Sequence, residues 1–296
     1  MSVTLITTAI LVALVLLALG FAARWWTIER SHTHDVPVLG WIDTLIGFVT
    51  NFFDTLGISS FASTTAAYKL LDRVPDEQIP GTLNVGHALP TVAMALIFIA
   101  TVSVDPVTLI GMIGAATAGA WLGGGFVSRL PRRAIQLGMG IALLLAAALF
   151  LAALLGAMPG GGTAEGLSGA KLIFAIAASF GLGALMMLGI GLYAPCLILV
   201  SLLGMSPIVA FPIMMGSCAF LMPVGGVRFI ASGRYNLCGA LGLTLGGIFG
   251  VLVAAYIVKS LPLDWLRWLV VIVVTYAALA MLNSARRDRR KAANAA

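Results

Sequence analysis

Charge is scarce in this chain. Asp, Glu, Lys and Arg make up 9% of its 296 residues, against about 25% in an ordinary soluble protein. A soluble chain of this length needs more charge than that to cover its surface, so a soluble enzyme or binding module is excluded. Cysteine is scarce too. Cys196, Cys218 and Cys238 lie in or beside apolar runs without C-x-x-C spacing. That excludes a disulfide framework and the usual zinc sites, and leaves buried cysteine as a small hydrophobe. No HExxH, GxSxG, Walker or dinucleotide fingerprint stands where its chemistry could operate. The glycine-rich stretch from Gly181 to Gly189 lacks the preceding strand that a dinucleotide site needs. No cofactor is expected, and no metal.

What is present is apolar. Hydrophobic residues make up 60% of the chain and mean hydropathy is +1.07. They cluster in runs of about 20, the length that crosses a bilayer core. The net charge of +6 does not point to nucleic acid. The basic residues stand at the ends of apolar runs, with five in the tail Arg286, Arg287, Arg289, Arg290 and Lys291. Such clusters report membrane topology and contact with anionic lipid. The first run, Val3 to Ala23, has no Lys or Arg before it and a longer apolar core than a signal peptide. It reads as a transmembrane helix.

Nine hydrophobic units follow from the pattern, near 3–23, 38–71, 82–103, 106–126, 133–157, 171–203, 206–230, 236–258 and 264–285. Two are odd. A single helix over 38–71 would run about 51 Å, too long for one span, and it is interrupted at Asp54-Thr-Leu-Gly57. Unit 171–203 is interrupted at Gly189-Ile-Gly191 and again at Pro195. Each reads as two half-length helices meeting at a break.

The odd units also open two internal repeats. Gly47 and Gly57 stand ten apart, as do Gly181 and Gly191. Gly111 and Gly119 match Gly242 and Gly250 at an offset of 131, and Gly86-His87 faces Gly216-Ser217 at 130. Val127-Ser-Arg-Leu-Pro131 resembles Val258-Lys-Ser-Leu-Pro262.

Topology decides how the odd units sit. If both are re-entrant hairpins and the N-terminus is outside, 14 of 17 basic residues fall inside, with Lys171, Lys259 and Arg267 outside. If both cross fully, the better orientation gives 10 against 7. The positive-inside rule selects the hairpins.

The fold expected is therefore an all-α polytopic membrane protein: a leading helix, then two inverted repeats, each a broken hairpin followed by three spans. The boundaries are 1–37 for the leading helix and loop, 38–157 and 171–285 for the repeats, 158–170 for the linker and 286–296 for a basic cytoplasmic tail. Inverted repeats with broken helices meeting at mid-membrane mark secondary transporters.

A break in a membrane helix must face protein or a water-filled cavity, so the two hairpin tips are expected to meet. Helix N-termini there offer N–H groups and partial positive charge to an anion. The first tip supplies Gly57, Ile58, Ser59 and Ser60, with Thr55, Ser63 and Thr64 nearby. The second supplies Gly191, Tyr193, Pro195 and Cys196. The competing explanation is that small and hydroxyl residues merely let helices pack closely.

Asp54, an ionisable residue at membrane depth, has two readings: a proton carrier, or a cap that accepts backbone N–H bonds. Asp43, earlier in the same half-helix, reads as interfacial. His87, with Ser217 as its partner in the other repeat, is a candidate substrate contact or a structural hydrogen-bonding group. His32 and His34 form an HxH beside Asp35, a weak metal signal. Arg228 reads as snorkelling to the inner surface, or as attracting anions there. Met186-Met187 and Met214-Met215 read as packing.

The Gly-broken hairpins, the stretch from Gly181 to Pro207, and the following Met214-Met-Gly-Ser-Cys-Ala-Phe-Leu-Met-Pro-Val-Gly-Gly226 with Ser232-Gly-Arg-Tyr-Asn236 resemble the TauE/SafE sulfite exporter family of membrane permeases. The resemblance covers about residues 40–285 and rests on the second repeat more than the first. It implies transport of sulfur-containing anions such as sulfite, sulfoacetate and related sulfonates. Carried residue by residue, it supports Gly189, Gly191, Pro195 and Cys196, and less directly Gly57 to Ser60.

Three classes compete. A secondary transporter of a small anion, driven by an ion gradient or the substrate's own gradient, fits every feature. The anion is sulfur-containing on the resemblance and could be another small anion such as a carboxylate. An intramembrane enzyme needs a catalytic cluster at depth, and His87 and Asp54 are too few. A membrane scaffold needs a docking domain or polar loops, and these are missing. The partners expected are a small anion, possible coupling to protons, and lipid, without nucleic acid. The location expected is the bacterial inner membrane, with the N-terminus outside and the C-terminus cytoplasmic.

Overall fold

A computed structural model describes residues 3–31, 40–157, 162–189, 191–257 and single positions between 272 and 287. The His32/His34 loop and most of the unit at 264–285 lie outside the described residues. The rest is helical: α1 (Val3–Ser31), α2 (Trp41–Thr55), α3 (Ser60–Leu70), α4 (Ile79–Gly86), α5 (Ala88–Thr101), α6 (Pro106–Val127), α7 (Arg132–Leu154), α8 (Gly169–Met186), α9 (Tyr193–Leu202), α10 (Ala210–Ser232) and α11 (Leu237–Ile257). Among the described residues five helices are long and apolar enough to cross a membrane, or six if the bent pair α4–α5 counts as one. The chain is an all-α polytopic membrane protein.

Burial sorts these helices. On α1, Leu14, Phe21 and Trp25 face the protein, while Leu5, Val12, Leu16 and Leu19 are exposed, as on a helix bathed in lipid. On α10 most positions from Ala210 to Ile230 are buried, so it runs through the centre of the bundle.

Both odd hydrophobic units break as the sequence requires. The break after α2 turns on Gly57 at φ 92° and the break after α8 on Gly189 at φ 90°, a left-handed conformation that glycine adopts without steric cost. The same turn bonds close both breaks. Gly57 N–H donates to Asp54 O and Gly189 N–H to Met186 O, each at 2.9 Å. Conformation therefore pairs Gly57 with Gly189, where the sequence spacing suggests Gly191.

Each broken unit returns to the face it starts from. Arg73, just past α3, bonds Asp43 at the start of α2, with Nη2 to Oδ2 at 2.6 Å and Nε to Oδ1 at 3.3 Å. Lys171 at the start of α8 donates to Leu203 O at the end of α9, at 3.0 Å. The two hairpins open on opposite faces. The Arg73 face gathers the ends of α1, α6 and α10: Arg234 donates to Leu130 O at 2.7 Å, Trp25 Nε1 donates to Tyr235 OH at 2.9 Å, and Tyr235 OH donates to Glu29. The Lys171 face holds the start of α6, where Asp105 caps the helix by accepting from Thr108 N–H at 2.8 Å.

Glycine sets the closest contacts. A Cβ on Gly119 or Gly250 would collide with the carbonyl oxygens of Phe180 and Phe48, respectively. Gly183 and Gly246 meet Ala116 O and Thr44 O in the same way. α2 thus lies backbone-to-backbone on α11, and α8 on α6. In lipid, where no hydrophobic force drives helices together, this close van der Waals packing holds them.

The third hydrophobic unit departs from a straight span. It bends by 42° between α4 and α5. Pro90 cannot donate to the carbonyl four residues back, which is Gly86 O. Thr244 Oγ1 of α11 donates to that oxygen instead, at 2.9 Å.

Candidate functional site

The first tip is closed by its own acid. Asp54 ends α2, and its carboxylate accepts from Ser60 N–H at 3.1 Å and Ser60 Oγ at 2.8 Å. Ser60 is the first residue of α3, so Asp54 occupies the positive end of that helix as a capping carboxylate does. Asp54, Ser60 and Ile58 are buried.

The second tip is built differently. α9 starts at Tyr193, and among the described residues no side chain caps it. Pro195, in its first turn, has no N–H to satisfy, and Cys196 N–H is already given to Leu192 O at 3.0 Å. The helix start therefore presents its dipole without a carboxylate of its own.

The tips touch. A Cβ on Gly191 would lie 2.5 Å from Ser59 Oγ and 3.9 Å from Phe61 Cβ. Gly191 is thus a close-approach glycine, whereas Gly189 supplies the left-handed turn. A Cβ on Gly57 would lie 3.5 Å from the ring of Phe211.

Around the junction lies a buried layer of sulfur and hydroxyl groups. Tyr193 OH donates to Met94 Sδ at 3.4 Å, and Cys218 Sγ to Met186 Sδ at 3.6 Å. Tyr193, Cys196 and Ser217 are all buried. Asp54 is near enough to Tyr193 and Cys218 to interact electrostatically with both, and Cys218 with Cys196.

His87 sits at the α4–α5 bend with no exposed surface. Its Nδ1 lies 2.9 Å from the Asn51 amide nitrogen and its Nε2 lies 3.0 Å from Thr64 Oγ1. Its ring packs on Phe61 at 5.9 Å. Both ring nitrogens are engaged within the protein, so a substrate reaches His87 only by displacing one of these partners. The imidazole joins α2, α3 and the bend.

The structure thus brings Asp54, Ile58, Ser59, Ser60, Gly191 and Tyr193 to one junction, with Cys196 in the first turn of α9. His87 stands behind the first tip. Asn51, Met186 and Cys218 are members that sequence reasoning did not select. A polar Asn inside an apolar half-helix, one turn before Asp54, was a usable signal. Cys218 and Met186 carry no such mark.

A membrane protein with two glycine-broken hairpins whose tips meet inside the helix bundle belongs to the transporter class. Residues 1–150 match the family described as sulfite exporter TauE/SafE, and the chain belongs to that family. The match falls on the leading helix and the first repeat, where the resemblance read from residues leaned on the second. The chain is accordingly a membrane transporter of the sulfite-exporter type. No curated protein and no solved structure matches it.

Proposed function

We propose that the chain carries a small sulfur-containing anion, such as sulfite, sulfoacetate or another organosulfonate, by alternating access at the junction of the two tips. The observation that carries this reading is the asymmetry between them. The start of α3 is already matched by Asp54, whereas the start of α9 has no side-chain cap among the described residues. A substrate oxyanion belongs at the second tip, at Gly191, Tyr193, Pro195 and Cys196. Ser59 and Ser60 approach from the first tip as hydroxyl donors around Gly57 and Ile58, and His87 and Ser217 support the site from the neighbouring spans.

Asp54 is the proton-coupling group in this reading. An anion beside its carboxylate meets a like charge, and arrival together with a proton removes that repulsion. Residues 38–157 and 171–285 act as the two moving repeats, linked by 158–170. They follow a leading unit at 1–37 and are followed by a tail at 286–296. The Arg73 face is cytoplasmic, which puts the N-terminus outside a bacterial inner membrane and the C-terminus within. The donors at the second tip would also accept a carboxylate, which is the alternative substrate.

Thermal unfolding of the detergent-purified protein tests the substrate class. A ligand that binds the folded state raises the midpoint according to its occupancy. Sulfite, thiosulfate, sulfoacetate and taurine are compared with sulfate and simple carboxylates. A selective rise with sulfite or a sulfonate is the expected result. A rise with carboxylates alone moves the assignment to that class, and no rise with any of them overturns the sulfur-anion reading.

A further inference from the structure

Away from the tips, α1, α6 and α10 enclose a lipid-facing groove of about 640 Å³, within the range of about 300–1,000 Å³ typical of small-ligand sites. Ile10 and Ala13 of α1 form one wall, Ile110, Gly114 and Trp121 of α6 another, and Phe220 of α10 a third. The lining is apolar. Its one hydroxyl, Thr117 Oγ1, is spent on Ile113 O at 2.8 Å. From Ile110 to Trp121 the groove follows three turns of α6, about 16 Å, which is about half the hydrocarbon core.

One end carries a fixed cation. Arg228 lies on the same strip of α10 as Phe220 and Val224, one turn further toward the Arg73 face. Its guanidinium stacks on the Trp121 ring at 4.7 Å from the centroid. The side chain is half-buried and is held at the groove mouth by the indole rather than extended freely. An apolar groove open to the bilayer fills with a hydrocarbon chain in any case. A cation at one end, one leaflet away from the other, selects which molecule supplies that chain.

We infer that this groove is a site for one anionic phospholipid of the leaflet on the Arg73 face, with an acyl chain along Gly114 and the phosphate at Arg228. The contact is charge-complementary and cation–π supported. It places a lipid against α10, the central helix that also carries Cys218 and Ser217.

The test is native mass spectrometry of the full chain in detergent, titrated with dioleoylphosphatidylglycerol. Gly114 has nothing within 4 Å of its Cβ position, so Gly114→Phe fills the groove without touching the core. Arg228→Gln removes the cation and leaves the groove open. The wild type is expected to retain one lipid, Gly114→Phe to lose it, and Arg228→Gln to weaken it about fivefold. Arg129→Gln, an exposed arginine on the same face, is expected to leave binding unchanged. Several results overturn the site: no retained lipid in the wild type, undiminished retention in folded Gly114→Phe, or equal losses for Arg228→Gln and Arg129→Gln. So does a dimer that Gly114→Phe abolishes, which would assign the groove to a second copy. If Gly114→Phe does not fold, Arg228→Gln against Arg129→Gln decides alone.

Discussion

One substitution can separate the cap that Asp54 forms from the proton-coupling role proposed for it. Its carboxylate accepts from both the N–H and the hydroxyl of Ser60. Asparagine keeps an oxygen for the N–H and turns its amide toward the hydroxyl, which can accept. Alanine keeps neither bond, and losing a cap of this kind costs about 0.5–2 kcal/mol. Asp54→Asn is therefore expected to unfold near the wild-type temperature and Asp54→Ala clearly below it. In proteoliposomes, Asp54→Asn should lose uptake driven by a pH gradient and retain substrate counterflow. If both variants retain gradient-driven uptake, the carboxylate is a cap and nothing more. His87 gives a second residue-scale test. Truncating it to alanine strands Thr64 and leaves Asn51 only its bond to Gly47 O, and a buried unpaired polar group costs about 1–3 kcal/mol. His87→Ala should therefore lower the unfolding midpoint more than Asp54→Ala does, as followed by heating in detergent. Asp54 and His87 could both be picked out beforehand because ionisable residues at membrane depth stand out. Which of their two readings applies could not, because that depends on what lies across the tip.

At the scale of helices, the glycines divide into those that are touched and those that are not. Gly119 and Gly250 hold α6 to α8 and α11 to α2, and any Cβ there strikes a carbonyl oxygen. Gly125 faces open space. Gly119→Val and Gly250→Val are each expected to destabilise by about 1–3 kcal/mol, the cost of overpacking, while Gly125→Ala leaves the melting profile unchanged. A tolerated Gly250→Val would mean that α2 and α11 are not in backbone contact. The eight hydrophobic units from 3–23 to 236–258 were legible in the sequence because lipid forces long apolar runs, and both breaks were legible because glycine and Asp54 interrupt them. Two features were not. Gly189 and Gly191 have different roles, one in the turn and one in the contact with Ser59, and spacing alone cannot tell them apart. The bend at His87 follows from Pro90, but it is stabilised by Thr244, which lies far away in sequence.

For the whole molecule, charge is distributed unequally between the two faces. Arg73 with Asp43, Arg234 at Leu130 O and the Glu29–Tyr235–Trp25 cluster all lie on one face, and Lys171 lies on the other. The positive-inside rule is the basis for the proposal that the arginine-rich face is cytoplasmic. Cys238 reports on this directly. It is the second residue of α11, on the arginine face, close enough to Arg73 to interact with it electrostatically. It is partly exposed, while Cys196 and Cys218 are buried, so the unmodified chain carries its own thiol reporter. A membrane-impermeant maleimide should label the protein in inside-out vesicles and leave it unlabelled on intact right-side-out spheroplasts. Cys238→Ser should abolish the signal from the vesicles. Cys238 is partly exposed, so silence from the inside would count against the geometry rather than against the reagent. Labelling from the outside would invert the molecule, placing the Asp54 tip on the external path and the α9 tip on the cytoplasmic one. The direction in which a proton and an anion meet at Gly191 would then reverse with it.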